Sequence, residues 1–242
     1  MDIKTFDRVE KKYLIDKSAE TKLLKAIKKY LQKDTYFNSE ISNIYYDTDN
    51  YDLIIKSIDN PDFKEKLRAR AYGGYDKVFL EIKTKFKKST TRVGYKRRFL
   101  MSHDEFNKVS SGENSIIEIA ARNIETPSDI QIAREADYLI KTLNLKPKLL
   151  IYYDRTSYVG EKGLRITFDK NLRFRDTDLS FTRKINDRYY FDTEKNIIME
   201  IKARGAMPLW LARALSENKI FPVHFSKIGK IYELIKKGEQ NV

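Results

Sequence analysis

The chain has 242 residues and a formal net charge of +13, which points to a folded protein with a polyanionic partner. Its hydrophobic fraction of 41% is typical of a globular domain, and without a run of about twenty consecutive apolar residues we expect no membrane segment. The absence of cysteine excludes disulfides and thiolate sites, and two histidines leave little room for a histidine-based metal site or a serine triad.

The N-terminal segment MDIKTFDRVEKKYLI has no apolar core of signal-peptide length before its first charge. It therefore predicts no export signal and favours a cytoplasmic location. The charge leaves three kinds of partner open: a nucleic acid, an anionic membrane or a phosphate-rich small substrate.

The first half of the chain is predicted to form strands around one early helix. A strand is predicted over 8–15 and a helix over 20–33, where apolar residues recur at helical spacing. Further strands are predicted over 41–47, 64–72, 78–86 and 92–100, with Gly73-Gly74 as a hairpin turn. Antiparallel pairing is the simplest arrangement of these strands.

The middle of the chain is predicted to be helical. Ser102 and Glu105 have the spacing of a capping box, which predicts a short helix, and two more helices are predicted over 115–123 and 129–143. Strands resume over 149–158, 164–170, 181–185, 188–192 and 196–202, and helices over 208–217 and 226–237 end the chain. No Pro- or Gly-rich linker divides the chain, so we interpret 1–242 as one α+β domain with 102–143 packed outside a sheet.

Charged residues recur at every second position in the predicted strands. The sets are Arg8, Glu10 and Lys12; Arg68 and Arg70; Glu81 and Lys83; Lys96 and Arg98; Glu200 and Lys202, with Arg155 and Arg165 in two further strands. Side chains of a strand alternate between its faces, so each set shares one face, while apolar residues occupy the other.

An antiparallel sheet of eight or more strands can remove its edges by closing into a barrel, and we predict a closed antiparallel β-barrel with helices outside. Charges pointing outward would be solvated. Charges pointing inward would repel by several kcal/mol for each close pair at an effective dielectric of roughly 20, so that arrangement needs a bound polyanion.

The strongest local pattern is the segment 64–72, where Arg68 and Arg70 lie two residues apart. In a strand that spacing is about 7 Å, which matches neighbouring phosphates of a short chain. An exposed strand with a solvated basic face would give the same pattern. The strands over 78–86 and 92–100 repeat it, and this favours the phosphate interpretation.

Three carboxylates, Glu10, Glu81 and Glu200, interrupt the basic pattern. Each could form structural ion pairs, hold a divalent metal or act as a base. Glu200 lies in a strongly apolar strand, where a lone acid is costly, so we favour metal ligation by Mg²⁺ or Mn²⁺ there. For Glu10 and Glu81, ion pairs with Lys12 and Lys83 are an equal alternative.

Lys227 is predicted at the start of the last helix, where the N-terminus favours an anion. A single surface lysine is as often only solvated. The phosphate loop G-x-x-x-x-G-K-[ST], G-x-G-x-x-G and H-E-x-x-H are all missing, so a nucleotide-using enzyme would have to hold phosphates with side chains.

Eight motifs follow one another along the chain: RVEKKY (8–13), LRAR (67–70), FLEIK (79–83), YKRRF (95–99), YDR (153–155), LRITFD (164–169), MEIK (199–202) and FSK (225–227). As an ordered set they resemble the VTC domain. That family holds the catalytic domains of polyphosphate polymerases and belongs to the triphosphate tunnel metalloenzymes, which also include the CYTH phosphatases. The resemblance implies a closed β tunnel that binds ATP by its triphosphate and passes the γ-phosphate to inorganic polyphosphate.

Site residues follow from the resemblance motif by motif. It implies phosphate contacts by Lys12, Arg68, Arg70, Lys83, Lys96, Arg155, Arg165 and Lys227. ATP contacts would include Lys12, Arg68, Arg70, Lys83, Arg98 and Lys202. The metal, Mn²⁺ or Mg²⁺, would be held by Glu200, with Glu10 and Glu81 as further candidates. The triphosphatase branch has Glu-x-Glu-x-Lys in its first strand, whereas Arg8 stands at the first Glu here, which favours the polymerase branch.

Our leading hypothesis is a polymerase that uses ATP or another triphosphate as donor and polyphosphate as acceptor. Two other functions are alternatives to it. A triphosphate or polyphosphate hydrolase would place water at the acceptor position, activated by Glu10 or Glu81. A single-stranded nucleic-acid-binding barrel would use Tyr45, Tyr46, Tyr72 and Tyr75 as stacking platforms. Our leading hypothesis expects no nucleic acid partner.

Overall fold

Nine strands and seven helices are found in the part of the chain that this computed structural model describes, residues 8–59, 62–88, 91–122, 127–182, 187–189 and 196–239. The strands are β1 (Arg8–Ile15), β2 (Leu31–Asp47), β3 (Phe63–Tyr72), β4 (Lys77–Lys88), β5 (Thr91–Ser102), β6 (Lys146–Gly160), β7 (Arg165–Arg175), β8 (Arg188–Tyr189) and β9 (Ile197–Arg204). The helices are α1 (Lys17–Ile27), α2 (Asp52–Ile58), α3 (His103–Ser111), α4 (Ile116–Arg122), α5 (Pro127–Thr142), α6 (Leu209–Glu217) and α7 (Lys227–Glu239).

Contacts divide the chain into two units. The first unit contains the described parts of 1–40, 153–173 and 189–226, and the second those of 41–152, 174–188 and 227–242. β2 and β6 each contribute residues to both units. A single domain over 1–242 stays a prediction.

The first unit has the strand order β1-β9-β7-β6-β2. β9 is antiparallel to both neighbours, so that Glu200 faces Lys12 on one side and Thr167 on the other. The alternate residues of these strands, including Tyr13, Phe168 and Met199, are buried in a core. This core also contains Leu23 and Ile27 of α1 and Leu211, Ala214 and Leu215 of α6. Alternation therefore separates a polar face from an apolar one.

The second unit has the strand order β6-β2-β3-β4-β5. Leu67, Ile82 and Phe99 point to one face of its sheet and are at most 1% exposed. They share a core with helical residues that include Phe106 of α3, Ile116 and Ile119 of α4, and Ile132, Ala133 and Ala136 of α5. Burying a large apolar side chain contributes about 1.5 to 3 kcal/mol, so this face supplies much of the stability of the unit. The prediction that 102–143 packs against the sheet is confirmed for helices α3, α4 and α5.

The antiparallel sheet with helices is confirmed, but the closed barrel is not. In the described residues the strand order starts at β1 and ends at β5, with β8 paired to β7, and these two end strands do not pair with each other. Alternation in sequence predicts which residues share a face. Closure depends on strand tilt and stagger, on which alternation carries no information.

The first predicted helix was wrong at its C-terminal end. It was placed over 20–33, whereas α1 ends at Ile27 and β2 begins at Leu31 after a 3₁₀ turn. Tyr30 stacks on Trp210 with ring centroids 4.2 Å apart, and Asp34 forms an ion pair with Arg165 at 2.7 Å. These tertiary contacts outweigh the helix propensity of the lysine-rich segment.

The strand predicted over 41–47 is only the C-terminal part of β2 (Leu31–Asp47), while most other predicted elements agree with the structure within a few residues. The capping box of Ser102 and Glu105 is present at α3, and Gly74 has a φ of +100° in the β3–β4 hairpin, a conformation that glycine adopts without strain. Helix α2 was not predicted. The strand predicted over 181–185 is wrong at Phe181 and Thr182, which are not in a strand, and its remaining residues lie outside the described part of the chain. β8 confirms 188–189 of the strand predicted over 188–192, and 190–192 lie outside the described part. No helix in the described ranges is long and apolar enough to cross a membrane.

Candidate functional site

The second unit presents a basic surface on the side of the sheet opposite its core, which we call the charged face. It consists of four cross-strand rows of β3, β4 and β5 with eight basic residues and one carboxylate. The rows are Lys64, Lys85 and Gly94; Lys66, Lys83 and Lys96; Arg68, Glu81 and Arg98; and Arg70, Phe79 and Leu100. The predicted sharing of one face by Arg68, Arg70, Lys83, Lys96 and Arg98 is confirmed.

Glu81 lies at the centre of the charged face and binds three of its cations. Its carboxylate is 2.6 Å from Arg68 Nη2, 2.5 Å from Lys96 Nζ and 3.8 Å from Arg70 Nε. Burial raises the pKa of Glu81, but Arg68, Arg70 and Lys96 outweigh it and lower the pKa to about 2. The carboxylate is therefore ionised at neutral pH and fixes the three cations in position.

Two residues of β2 support the arginines from the side. Arg70 Nε donates to Asn43 Oδ1 at 2.8 Å, and Asn43 Nδ2 donates to the carbonyl of Ile151 at 3.1 Å. Arg68 Nη1 donates to the Tyr45 hydroxyl at 3.1 Å. Sequence reasoning missed Asn43 and named Tyr45 only as a stacking platform for nucleic acid, although the two residues are two positions apart in a predicted strand, which was a usable signal.

Tyr45 is strongly affected by these cations. Burial raises the pKa of its hydroxyl, but the positive charges of Arg68, Lys66 and Arg70 and the hydrogen bond from Arg68 lower it to about 8. The phenolate is thus stabilised by the same cations that would bind a phosphate. The ionisation of Tyr45 consequently reports the electrostatic potential of the charged face.

Lys227 begins α7 in the second unit, as predicted. The predicted tyrosine platform for single-stranded nucleic acid is not present as a set. Tyr45 and Tyr46 are each 9% exposed, and Tyr75 stacks on the buried Phe181. Of the four tyrosines, Tyr72 is exposed on the charged face.

In the first unit the predicted metal ligands Glu10 and Glu200 lie together with Lys12, Thr167 and Lys202; we call these five residues the Glu200 cluster. Lys202 Nζ is 3.0 Å from Glu200 Oε1 and 3.8 Å from Glu10 Oε2. Burial raises the pKa of Glu200, but Lys202, a hydrogen bond shared with Glu10, and Lys12 bring it well below its usual range. Glu200 is 8% exposed and ionised.

The hydroxyl of Thr167 stands out in the Glu200 cluster. Thr167 is 5% exposed, lies directly opposite Glu200, and its Oγ1 has no hydrogen-bond partner in the described part of the chain. A buried hydroxyl without a partner costs about 1 to 3 kcal/mol, so a water, an ion or a ligand that bonds to it there would relieve this cost. Sequence reasoning included Thr167 in a motif but gave it no role.

Lys12, a member of the Glu200 cluster, also forms hydrogen bonds with the segment 223–225. Its Nζ donates to the carbonyl of Phe225 at 2.9 Å, and its own carbonyl accepts from Val223 N at 2.7 Å. The segment 223–225 therefore lies along β1, next to the first-strand motif. The side chain of Arg8 lies outside the described part of the chain.

Two predicted phosphate ligands of the first unit carry their own carboxylate partners. Arg155 makes a bidentate pair with Asp169, with Nε–Oδ1 at 2.6 Å and Nη2–Oδ2 at 2.8 Å. Arg165 pairs with Asp34 at 2.7 Å and donates to Ser157 at 3.1 Å. Because these charges are locally balanced, the polar face of the first unit is mixed in sign, unlike the charged face.

The three predicted metal-ligating carboxylates are divided between the two units. Glu10 and Glu200 belong to the first unit, whereas Glu81 belongs to the second and is bound to Arg68, Arg70 and Lys96. Within the described ranges, no three His, Cys, Asp or Glu residues are grouped so as to hold a metal ion on their own. A metal ion bound by Glu200 would therefore need ligands other than a set of three such side chains.

Comparison with known proteins places the chain in a family. The model of the VTC domain matches residues 7–235, so this chain belongs to the VTC domain family. Subunit 4 of the vacuolar transporter chaperone complex of Schizosaccharomyces pombe is 28% identical over 147 residues, 56% of this chain and 20% of that protein. The chain thus spans about a fifth of the length of this relative.

A solved structure shares the fold. The putative adenylyl cyclase HpAC1 from Hippeastrum, described as having a dominant triphosphatase activity, matches with a TM-score of 0.55 at 15% identity, over 96% of both chains. At this identity the likeness shows a common fold.

Proposed function

We propose that this chain is a metal-dependent phosphotransferase that moves the γ-phosphate of ATP onto an inorganic polyphosphate chain. The observation that carries the proposal is the charged face, where eight basic residues share one side of the sheet with a single buried carboxylate. Membership of the VTC domain family and the likeness to subunit 4 of the vacuolar transporter chaperone complex support it.

The charged face would hold the phosphates. Phosphoryl transfer requires in-line placement of the reacting oxygens and neutralisation of the transferring charge, with little covalent chemistry from the protein. Glu81 holds Arg68, Arg70 and Lys96 in place before the substrate arrives, so the cations need little reorganisation during the reaction. The terminal oxygen of polyphosphate is already ionised, so the acceptor needs no general base.

Glu200 and Glu10 would hold the divalent metal, Mn²⁺ or Mg²⁺. Their carboxylates and the unpartnered Thr167 hydroxyl are hard oxygen donors, which suit these ions. Mg²⁺ is commonly held by one or two carboxylates together with substrate phosphates, which fits a site with fewer than three acidic ligands. When bound, the ion would supply positive charge for a phosphate oxygen at the Glu200 cluster.

Product analysis tests the proposal. Purified protein is incubated with ATP and Mn²⁺, and the products are resolved on a polyacrylamide gel that separates polyphosphate by length. We expect a ladder of chains that is strongly reduced by Arg68→Ala and by Glu200→Gln. Release of free phosphate without any ladder would contradict the polymerase and identify a hydrolase acting at the same site.

A further inference from the structure

The residue composition of the charged face changes from mainly charged to partly apolar at its fourth row. The first three rows contain Lys, Arg, one Gly and Glu81, whereas the fourth combines Arg70 with Phe79 and Leu100. Tyr72 follows on the same side of β3, two residues beyond Arg70, and is 36% exposed. An aromatic surface thus directly adjoins the predicted phosphate-binding cations.

Packing in the core does not account for this surface. The core of the second unit lies on the other side of the sheet, where Leu80, the sequence neighbour of Phe79, is 2% exposed and Phe99 is 1% exposed. Phe79 and Tyr72 instead contact each other edge to face, with ring centroids 5.9 Å apart. They form a small aromatic group on the face that is otherwise basic.

Arg98 joins this aromatic group instead of the central carboxylate. It is the direct cross-strand neighbour of Glu81, yet the ion-pair partners of Glu81 are Arg68, Arg70 and Lys96. The guanidinium of Arg98 lies over the ring of Phe79, 4.8 Å from its centroid. Arg98 is exposed, so its planar group extends the aromatic surface towards solvent.

We propose that Tyr72, Phe79 and Arg98 form a stacking site for the base of a bound nucleoside triphosphate. Nucleobases stack on aromatic rings and on guanidinium planes, which are the two kinds of group present. Neighbouring rows on one face are about 7 Å apart, so a base at the fourth row is within reach of a triphosphate held by Arg68 and Lys96.

This inference rests on the proposed function, because it assumes that the charged face binds the triphosphate. It adds a distinction between the two substrates. A nucleotide donor has a base that can occupy the aromatic site, whereas inorganic polyphosphate has none. The site would therefore increase affinity for the donor without affecting the acceptor.

Isothermal titration calorimetry of the whole chain with ATP and with inorganic tripolyphosphate tests the site. Two variants remove the stacking surface, Tyr72→Ala and Phe79→Leu, and both leave every basic residue in place. We expect each to weaken ATP binding by about 5- to 150-fold, the effect of losing one stacked base, and to change tripolyphosphate binding by less than about 2-fold. Tyr95→Ala is the matched control, since Tyr95 is 52% exposed on the opposite face of β5.

Two results would overturn the inference: unchanged ATP binding in both variants, or equal losses for ATP and tripolyphosphate. Circular dichroism of each variant shows that it is folded. Wild-type protein that binds ATP by this site but forms no polyphosphate would defeat the proposed function and leave the stacking site standing. Wild-type protein that binds neither anion would defeat both.

Discussion

Arg68 Nη2 lies 2.6 Å from Oε2 of Glu81, a carboxylate that is 1% exposed in the middle of a basic sheet face. This ion pair holds in position a cation that we propose binds phosphate. Glu81 compensates part of the repulsion between neighbouring cations in the absence of a ligand. Because one carboxylate faces several cations, the surface keeps an excess of positive charge for a phosphate chain.

Replacing Arg68 with alanine should weaken tripolyphosphate binding. Loss of a hydrogen bond to a charged group costs about 1.5 to 3 kcal/mol, so we expect a loss of roughly 10- to 150-fold in calorimetric titrations. Arg97→Ala is the matched control, because Arg97 lies on the opposite face of β5 and pairs with Glu135 at 2.6 Å. Equal losses in both variants would show that only net charge matters.

Replacing Glu81 with glutamine should destabilise the protein. The pKa of Glu81 is lowered from 4.5 to about 2, so its stabilising effect is complete above pH 4.5 and is lost as the pH falls towards 2. Removing one partner of a buried pair costs about 3 to 5 kcal/mol, and we expect the lower end because Lys96 is 41% exposed.

Denaturant unfolding at neutral pH measures this effect. Glu65→Gln serves as the control, because Glu65 lies in the neighbouring strand β3 on the opposite face of the sheet, and a glutamine there can still accept from Thr84. A Glu81→Gln variant as stable as the control would show that the cations need no central carboxylate.

Tripolyphosphate binding should weaken above pH 8 because of Tyr45. Its pKa is lowered from 10.0 to about 8 in the folded protein, so stabilisation by the phenolate is complete above pH 10.0 and is lost as the pH falls through 8. The phenolate competes with a bound anion for Arg68 and Arg70. Calorimetric titrations should show that the decline in tripolyphosphate affinity between pH 8 and 10.0 disappears in Tyr45→Phe. An identical decline in the wild-type protein and in this variant would exclude Tyr45 as its source.

Thr167→Val should separate stability from metal binding. The Thr167 hydroxyl has no partner in the described part of the chain, so its removal should leave the free energy of unfolding unchanged or raise it by about 1 kcal/mol. The same change should weaken Mn²⁺ binding measured by electron paramagnetic resonance. Thr84→Val is the control, since Thr84 donates to Glu65 and its loss should destabilise by about 1 kcal/mol. Unaltered Mn²⁺ affinity in Thr167→Val would remove this residue from the metal site.

The charged face could be predicted from the sequence because its information is local. Alternation along 64–72, 78–86 and 92–100 predicts which residues share a face, and short hairpins bring these strands together. The central position of Glu81 also follows once Arg68, Glu81 and Arg98 are aligned in register. The direction that Arg98 takes, towards Phe79, depends on side-chain packing that alternation does not contain.

The first unit was harder to predict because its partners are distant in sequence. Asp34 accepts a hydrogen bond from Ser157, 123 residues away, and directly follows the helix predicted over 20–33. The carboxylate of Asp169 neutralises Arg155, and no spacing rule indicates that a motif residue is the partner of another motif. Local patterns thus identified the basic residues, whereas the acidic partners that balance them required the folded chain.

A structure of the protein crystallised with tripolyphosphate tests the central claim most directly. We expect phosphate groups on the charged face, in contact with Arg68, Arg70 and Lys96 while Glu81 keeps its ion pairs. Phosphate groups bound elsewhere, with none in contact with Arg68, Arg70 or Lys96, would contradict the account.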